Sequence, residues 1–167
     1  KPENKSKLAQ KDIDADWTKK NGERHFGYKD HVKCDADSKL ITNYSVTSAS
    51  VHDSQRCLVF IGQEDEVLYA DSAYSGKPIA LALPENCKNQ ICEKGYRNSP
   101  LTSEQKMNNR RKSRIRCRIE QIFGFMTGDM HGITIRSIGI TRAWMNIGIT
   151  NLVYNFCRYS YLKRASA

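Results

Sequence analysis

The run Glu66-Val67-Leu68-Tyr69-Ala70 ends at Asp71 and stands between two stretches patterned as short helices. A compact apolar segment of that length predicts a buried central strand. It commits the chain to a sheet covered by helices, and the rest of the pattern agrees. Residues His25 to Lys33 alternate Phe26, Tyr28 and Val32 against Lys29 and His31, and Leu40 to Thr47 is β-branched and aromatic. With Asp35-Ala36-Asp37-Ser38 as the turn, these segments predict an antiparallel hairpin. Ser50 to Ser54 holds capping residues, and a short helix through Leu58, Val59 and Phe60 should end near Gly62. Ile79 to Leu83 predicts a helix with Pro78 near its first turn and Pro84 ending it; Asn89 to Glu93 predicts a weak strand. After a loop over 94–100, Thr102-Ser103-Glu104-Gln105 reads as a helix start. That helix should run to about Met126, with Ile115, Ile119, Ile122 and Met126 on one stripe. A connection over 129–137 leads to Ile140 to Phe156, apolar on most faces and expected as a helix packed on both sides. Strands with intervening helices in this order predict an α/β sandwich.

Residues 1–22 are polar, rich in Lys, Asp and Asn, and predict a loop or arm, with Trp17 docking onto the body. The chain has 167 residues, one ordinary domain, and its net charge of +9 favours a polyanionic partner such as nucleic acid. No run of about 18 apolar residues offers a membrane span. The first residue is Lys1 with no charged-then-apolar leader behind it, so the chain reads as a fragment or excised domain. The six cysteines form no CxxC pair and fit neither a zinc finger nor a dense disulfide framework. Buried free thiols in a reducing cytoplasm are expected instead.

Asp71 stands at the carboxyl end of the buried-looking strand, the edge where ligands gather in open α/β sheets. It is equally suited to a cap or turn, because Ser72 follows. Glu120 lies one helical turn after Arg116, and an i,i+4 ion pair on a solvated face is its plainest reading. Before it run Arg110, Arg111, Lys112, Arg114, Arg116 and Arg118, with no acid among them. Arg110, Arg114 and Arg118 would share one helical stripe and repel one another, which phosphates would relieve. Lys29 and His31 should point to one side of their strand, either towards DNA phosphate or simply to solvent. His52-Asp53 reads as a helix cap.

Four segments then resemble bacterial insertion-sequence DDE transposases, the insertion sequence four and five groups. They are Phe26-Gly27-Tyr28-Lys29-Asp30-His31, Val46 to Ser54, Tyr69-Ala70-Asp71-Ser72-Ala73-Tyr74, and Arg116 to Gly124. A weaker likeness covers Arg136 to Arg142 and Asn151-Leu152-Val153-Tyr154-Asn155, so the resemblance runs from about Asp12 to Leu162. It implies a ribonuclease H-like mixed sheet flanked by helices, over 23–165, after the polar arm 1–22. It implies three acidic residues holding two Mg²⁺ (or Mn²⁺) ions. Asp71 matches the second acid, Glu120 the third and Arg116 the arginine associated with it. The first acid belongs to a first strand expected upstream of Lys1 and missing from the chain, so Asp12, Asp14 and Asp16 are not assigned to it. Two places depart from the pattern: Ser113 stands where a Tyr is frequent, and Thr127 where a Lys is frequent.

The resemblance implies a transposase that cleaves and transfers strands with metal at insertion-sequence ends. Its partner would be double-stranded DNA, both terminal inverted repeats and target, contacted by Lys29, His31, Arg110, Arg111, Lys112, Arg114, Arg116 and Arg118. A homo-oligomer on DNA, in the bacterial cytoplasm at the nucleoid and not in a membrane, is implied with it. Two carboxylates without the third should leave this chain inactive or nearly so. The alternatives are a non-catalytic DNA-binding remnant and a different ribonuclease H-like nuclease.

Overall fold

The computed structural model describes residues 5–8, 10–20, 22–132 and 134–166. The chain runs α1 (Lys5–Leu8), β1 (Asp16–Lys20), β2 (Glu23–Cys34), β3 (Ile41–Ser48), α2 (Ser54–Phe60), β4 (Val67–Leu68), α3 (Lys77–Ala82), β5 (Lys88–Asn89), α4 (Ser103–Arg116), α5 (Arg118–Gly128) and α6 (Ile140–Ala165). A 3₁₀ turn, Ser72–Tyr74, lies between β4 and α3. The fold is mixed α/β, with one antiparallel sheet in the order β1-β2-β3 and a separate parallel pair β4-β5.

The expected hairpin is β2 and β3, in the register Lys29↔Thr47, Asp30↔Val46 and His31↔Ser45. Its turn forms because the Asp35 carboxylate accepts from the Ser38 backbone N–H at 2.6 Å, an Asx arrangement that fixes the chain locally. Lys39 completes it with φ 60°. Alternation then sends neighbouring residues to opposite helices. Tyr28 and Val32 pack towards α5 and α6, and Asn151 of α6 reaches Asp30. On the other face Lys29 and His31 meet Asp53, and Lys33 donates to the Phe60 carbonyl at the end of α2. The sheet is thus covered from two sides, as the element order predicts.

The main core joins Ile41 of β3, Ile122 and Met126 of α5 and Tyr154 of α6; Val46, Ala143 and Ile147 extend it. Four hydrogen bonds from three side chains lock the β2–β3 turn and the start of β3 to α6. Asn155 both donates to and accepts from Ile41 at 2.8 Å, Tyr154 Oη donates to the Lys39 carbonyl, and Arg158 Nε donates to the Ser38 carbonyl. A second small core, Cys57, Ile79 and Ile91, sits beneath α2, α3 and the β4–β5 pair.

Four expectations are corrected. The arm contains β1, which pairs with β2 over five residues; Trp17 docks on Phe26 of that strand alone and stays 59% exposed. Its acids have structural work. Asp12 accepts from Tyr28 Oη at 2.6 Å and from the Gly139 N–H, and Asp14 accepts from the Ile140 N–H at 3.0 Å. Gly139, with φ 95°, offers no side chain to cap α6, so the arm supplies the cap from a distance. The strand at 66–70 is ordered by a ladder on one side only, Glu66, Leu68 and Ala70 accepting from Lys88, Gln90 and Cys92. With no second neighbour among the described residues, it is regular strand at Val67–Leu68, and Val67 is exposed. The long helix breaks at Cys117 into α4 and α5. Finally, α6 is buried on one face only, along Ala143, Ile147, Asn151 and Tyr154; Met145, Ile149, Leu152 and Phe156 are open.

Of the six cysteines, Cys57, Cys87 and Cys92 are buried and free, whereas Cys157 is exposed.

Candidate functional site

Asp71 sits immediately after the β4 ladder. Its backbone is extended (φ −71°, ψ 161°) and its carbonyl accepts from the Tyr74 N–H, starting the 3₁₀ turn. The side chain does not cap that turn; it is exposed and, among the described residues, accepts only from Ser72 Oγ, at 3.1 Å. Glu120 lies in the first turn of α5, also exposed, with Arg116 Nη2 at 3.0 Å from its Oε1.

Contacts between the β4–β5 edge and α4 relate the two. Cys92 donates its N–H to the carbonyl of Ala70, the residue before Asp71, and its Sγ lies 3.8 Å from Ser113 Oγ on α4. Beside this, Asn109 and Glu93 exchange two hydrogen bonds, and Lys112 Nζ donates to the Ile91 carbonyl. The edge carrying Asp71 therefore lies against the face of α4 bearing Ser113, one turn before Arg116. An open cleft of about 410 Å³ there is lined by Tyr69, Gln90, Asn108, Arg111, Lys112 and Ile115.

The six cations divide. Arg110, Arg111 and Arg114 are exposed, and their guanidinium groups make no hydrogen bond or ion pair among the described residues. Lys112 is bound to the Ile91 carbonyl beside Glu93, Arg116 to Glu120, and Arg118 to the Ala36 carbonyl and Asp37. These three therefore have internal partners that the run alone does not disclose. Arg118 also lies beyond the break at Cys117, on α5, whereas Arg110 and Arg114 lie on α4. Thr102 and Gln105 form the expected capping box at the start of α4. Ser113 is half-buried against Cys92, and Thr127 Oγ1 donates to the Phe123 carbonyl of its own helix.

Lys29 and His31 share a face as predicted, but the face is not open. Lys29 Nζ donates to the Val51 carbonyl at 2.8 Å and lies 3.2 Å from Asp53 Oδ1. His31 is buried, with Nε2 2.7 Å from Thr47 Oγ1 and Nδ1 3.8 Å from Asp53. Burial pushes its pKa below the ordinary value against the pull of Asp53, and Lys29 and Arg56 push the same way, so the ring is neutral at pH 7. Asp53 occupies the N-cap position of α2, where its carbonyl accepts from the Arg56 N–H but its side chain makes no cap bond; the carboxylate faces Lys29 of the strand instead. Tyr74 completes the group. Burial first, then the charges of Asp53, Cys57 and Asp71, push its hydroxyl up to about 12. Asp53 and Asp71 thus both act on the Tyr74 hydroxyl, a linkage that reading along the chain missed, because Asp53 carries a cap signal and Tyr74 no signal of its own.

Among the described residues no three His, Cys, Asp or Glu side chains gather closely enough to hold a metal ion. No helix there is long and apolar enough to cross a membrane.

A family model described as "Transposase DDE domain" matches residues 4–156. The transposase for insertion sequence element IS1106 of Neisseria meningitidis serogroup B is 34% identical over 117 residues, covering 68% of this chain and 40% of that protein. The chain spans about two fifths of the length of this curated relative. No solved structure matches it significantly.

Proposed function

The chain belongs to the transposase DDE-domain family, and on that premise we propose that residues 23–165 act as a ribonuclease H-like catalytic domain, with Asp71 and Glu120 as two of its acids. The observation that carries this is the Ala70–Cys92–Ser113 contact, which sets the strand edge bearing Asp71 against the helix leading to Glu120. Both carboxylates are exposed and offer the hard oxygen donors that Mg²⁺ or Mn²⁺ prefers. In kind they fit; in number they are one short of three, so they should hold metal weakly and this chain alone should show little activity. When bound, two such ions supply the Lewis acidity for displacing one phosphodiester oxygen by another in line. Arg116 balances the charge of Glu120 and orients it. Arg110, Arg111 and Arg114 would take the phosphates of double-stranded DNA, at insertion-sequence ends and target.

Lys29 and His31 act through Asp53 in this reading, holding the sheet beside Asp71, rather than as direct DNA contacts. Such a protein works in the bacterial cytoplasm at the nucleoid. Assembly of several copies on paired ends is supported by the open stripe of α6. Met145, Ile149, Leu152, Phe156 and Tyr159 recur at intervals of four and three residues, the spacing of a helix–helix seam.

The test is strand transfer at terminal inverted repeats by the protein of the full reading frame. Asp71→Asn and Glu120→Gln should each lower it by roughly a hundredfold or more; transfer at the unaltered rate in either variant removes that residue from the site. One observation favours a second reading, a DNA-binding module without chemistry: Glu120 is already engaged by Arg116. That reading gains if both variants bind DNA normally and the unaltered protein transfers nothing.

A further inference from the structure

β2 changes partner midway. Residues 23–27 pair with β1 and residues 28–34 with β3, so β1 and the first part of β2 project as a two-stranded ribbon beyond β3. Directly opposed residues of an antiparallel pair share a face, as do residues two apart on one strand. One face of the ribbon therefore carries Trp17 opposite Phe26 and Lys19 opposite Arg24. The two rings lie 5.2 Å apart, tilted by 54°, and still expose 59% and 52% of their surface. Lys19 and Arg24 are exposed and make no ion pair among the described residues.

The charged pair works against this chain standing alone, and the ring pair returns only part of what it could. Like charges directly opposed on a ribbon repel. Two large rings left half in water forgo the gain of burial. A single kind of ligand accounts for both features: a flexible polyanion with flat π-faces. Unpaired nucleic acid has that chemistry, because each base offers a face for stacking and each link a phosphate. A duplex keeps its base faces between its own pairs and offers the rings nothing.

We propose that this ribbon face binds single-stranded DNA, a base stacking on Trp17 and Phe26 while Lys19 and Arg24 take flanking phosphates. The inference rests on the reading that the chain acts on DNA and adds a contact surface separate from α4. The chain has two tryptophans, so Trp144→Phe leaves Trp17 as the sole reporter.

In that background a short oligothymidylate should quench tryptophan emission, whereas a duplex of equal length should not. Measured by anisotropy of labelled oligonucleotide, Trp17→Ala should weaken single-strand binding by about tenfold. The pair Lys19→Gln and Arg24→Gln should lower the slope of log affinity against log salt by about 1.4. All three side chains are exposed, and circular dichroism checks that the fold persists. An unchanged emission at saturating oligonucleotide, or unchanged affinity in Trp17→Ala, overturns the proposal. So does emission that responds to protein concentration alone, which would assign the ribbon to a second copy of the chain. If duplex binding depends on Arg110, Arg111 and Arg114 while Trp17 stays silent, only the ribbon proposal falls. If the chain binds neither form of DNA, the functional reading falls with it.

Discussion

At Asp30 a carboxyl group is sealed inside the sheet–helix interface, where alternation along β2 sends it towards α6. Its Oδ1 accepts from Asn151 Nδ2 at 3.3 Å, while Asp30 Oδ2 and Asn151 Oδ1 are buried without partners. Two buried acceptors without a donor among the described residues favour keeping the Asp30 carboxyl protonated. Burial pushes the Asp30 carboxyl up to about 6, the Asn151 hydrogen bond pulling the other way. Since the folded value lies above the ordinary 3.8, the fold binds the proton more tightly than the unfolded chain does. Stability is then highest below the unfolded value and falls as pH rises through the folded one, by up to about 3 kcal/mol. Asp30→Asn places an uncharged amide there, whose N–H can reach Asn151 Oδ1. We expect urea denaturation of the unaltered chain to weaken between about pH 4 and pH 6, and the variant to be flatter and more stable above that window. A variant less stable than the parent at neutral pH would mean that the carboxylate has a partner of its own.

On the scale of elements, α6 shows how closely helix and sheet can approach. A Cβ built on Gly148 would fall on the Tyr44 hydroxyl, far inside contact distance, because the helix crosses β3 there with no room for a side chain. Tyr44 also packs against Trp144, the ring centroids 5.6 Å apart and tilted by 51°, so swinging it away costs that contact. Gly148→Ala should therefore cost about 1–3 kcal/mol despite the better helix propensity of alanine. Thermal denaturation measures it, and a rise in melting temperature would show that Tyr44 yields. Elements with a local signal were legible beforehand: the hairpin through its alternation and its Asp35–Ser38 turn, α4 through its capping box. The break at Cys117 carried none, since no Pro or Gly marks it and Ile115, Ile119, Ile122 and Met126 keep helical spacing across it. The open face of α6 was also hidden, because an apolar stripe facing a core and one facing water are written in the same residues. As for the site, the position of Asp71 after an apolar strand was visible, but only the resemblance singled out Glu120 over an ordinary ion pair. The link from Asp53 through Tyr74 to Asp71 joins residues from separate elements, which no local pattern reports.

For the whole molecule, a charge of +9 says that a polyanion will be attracted, and the structure says which cations remain to meet it. A cation already bound to a carbonyl or carboxylate gives up that partner when it takes a phosphate, so its net gain is small. Lys112, Arg116 and Arg118 are of this kind; they tie α4 to the segment after β5, α4 to Glu120 of α5, and α5 to the β2–β3 turn. Arg110, Arg111 and Arg114 have nothing to give up, and each phosphate they neutralise on a duplex releases counterion. Replacing these three with Gln should lower the slope of log affinity against log salt by about 2.7, measured between roughly 50 and 200 mM salt. Their exposure means that thermal stability should scarcely move. Replacing Lys112, Arg116 and Arg118 instead should lower stability and leave the slope nearly as it was. The two triples remove the same formal charge, so a general attraction to the net charge would move both slopes equally. Equal slopes would show that α4 is no dedicated DNA surface, whereas a change confined to the first triple would locate the duplex along its exposed side.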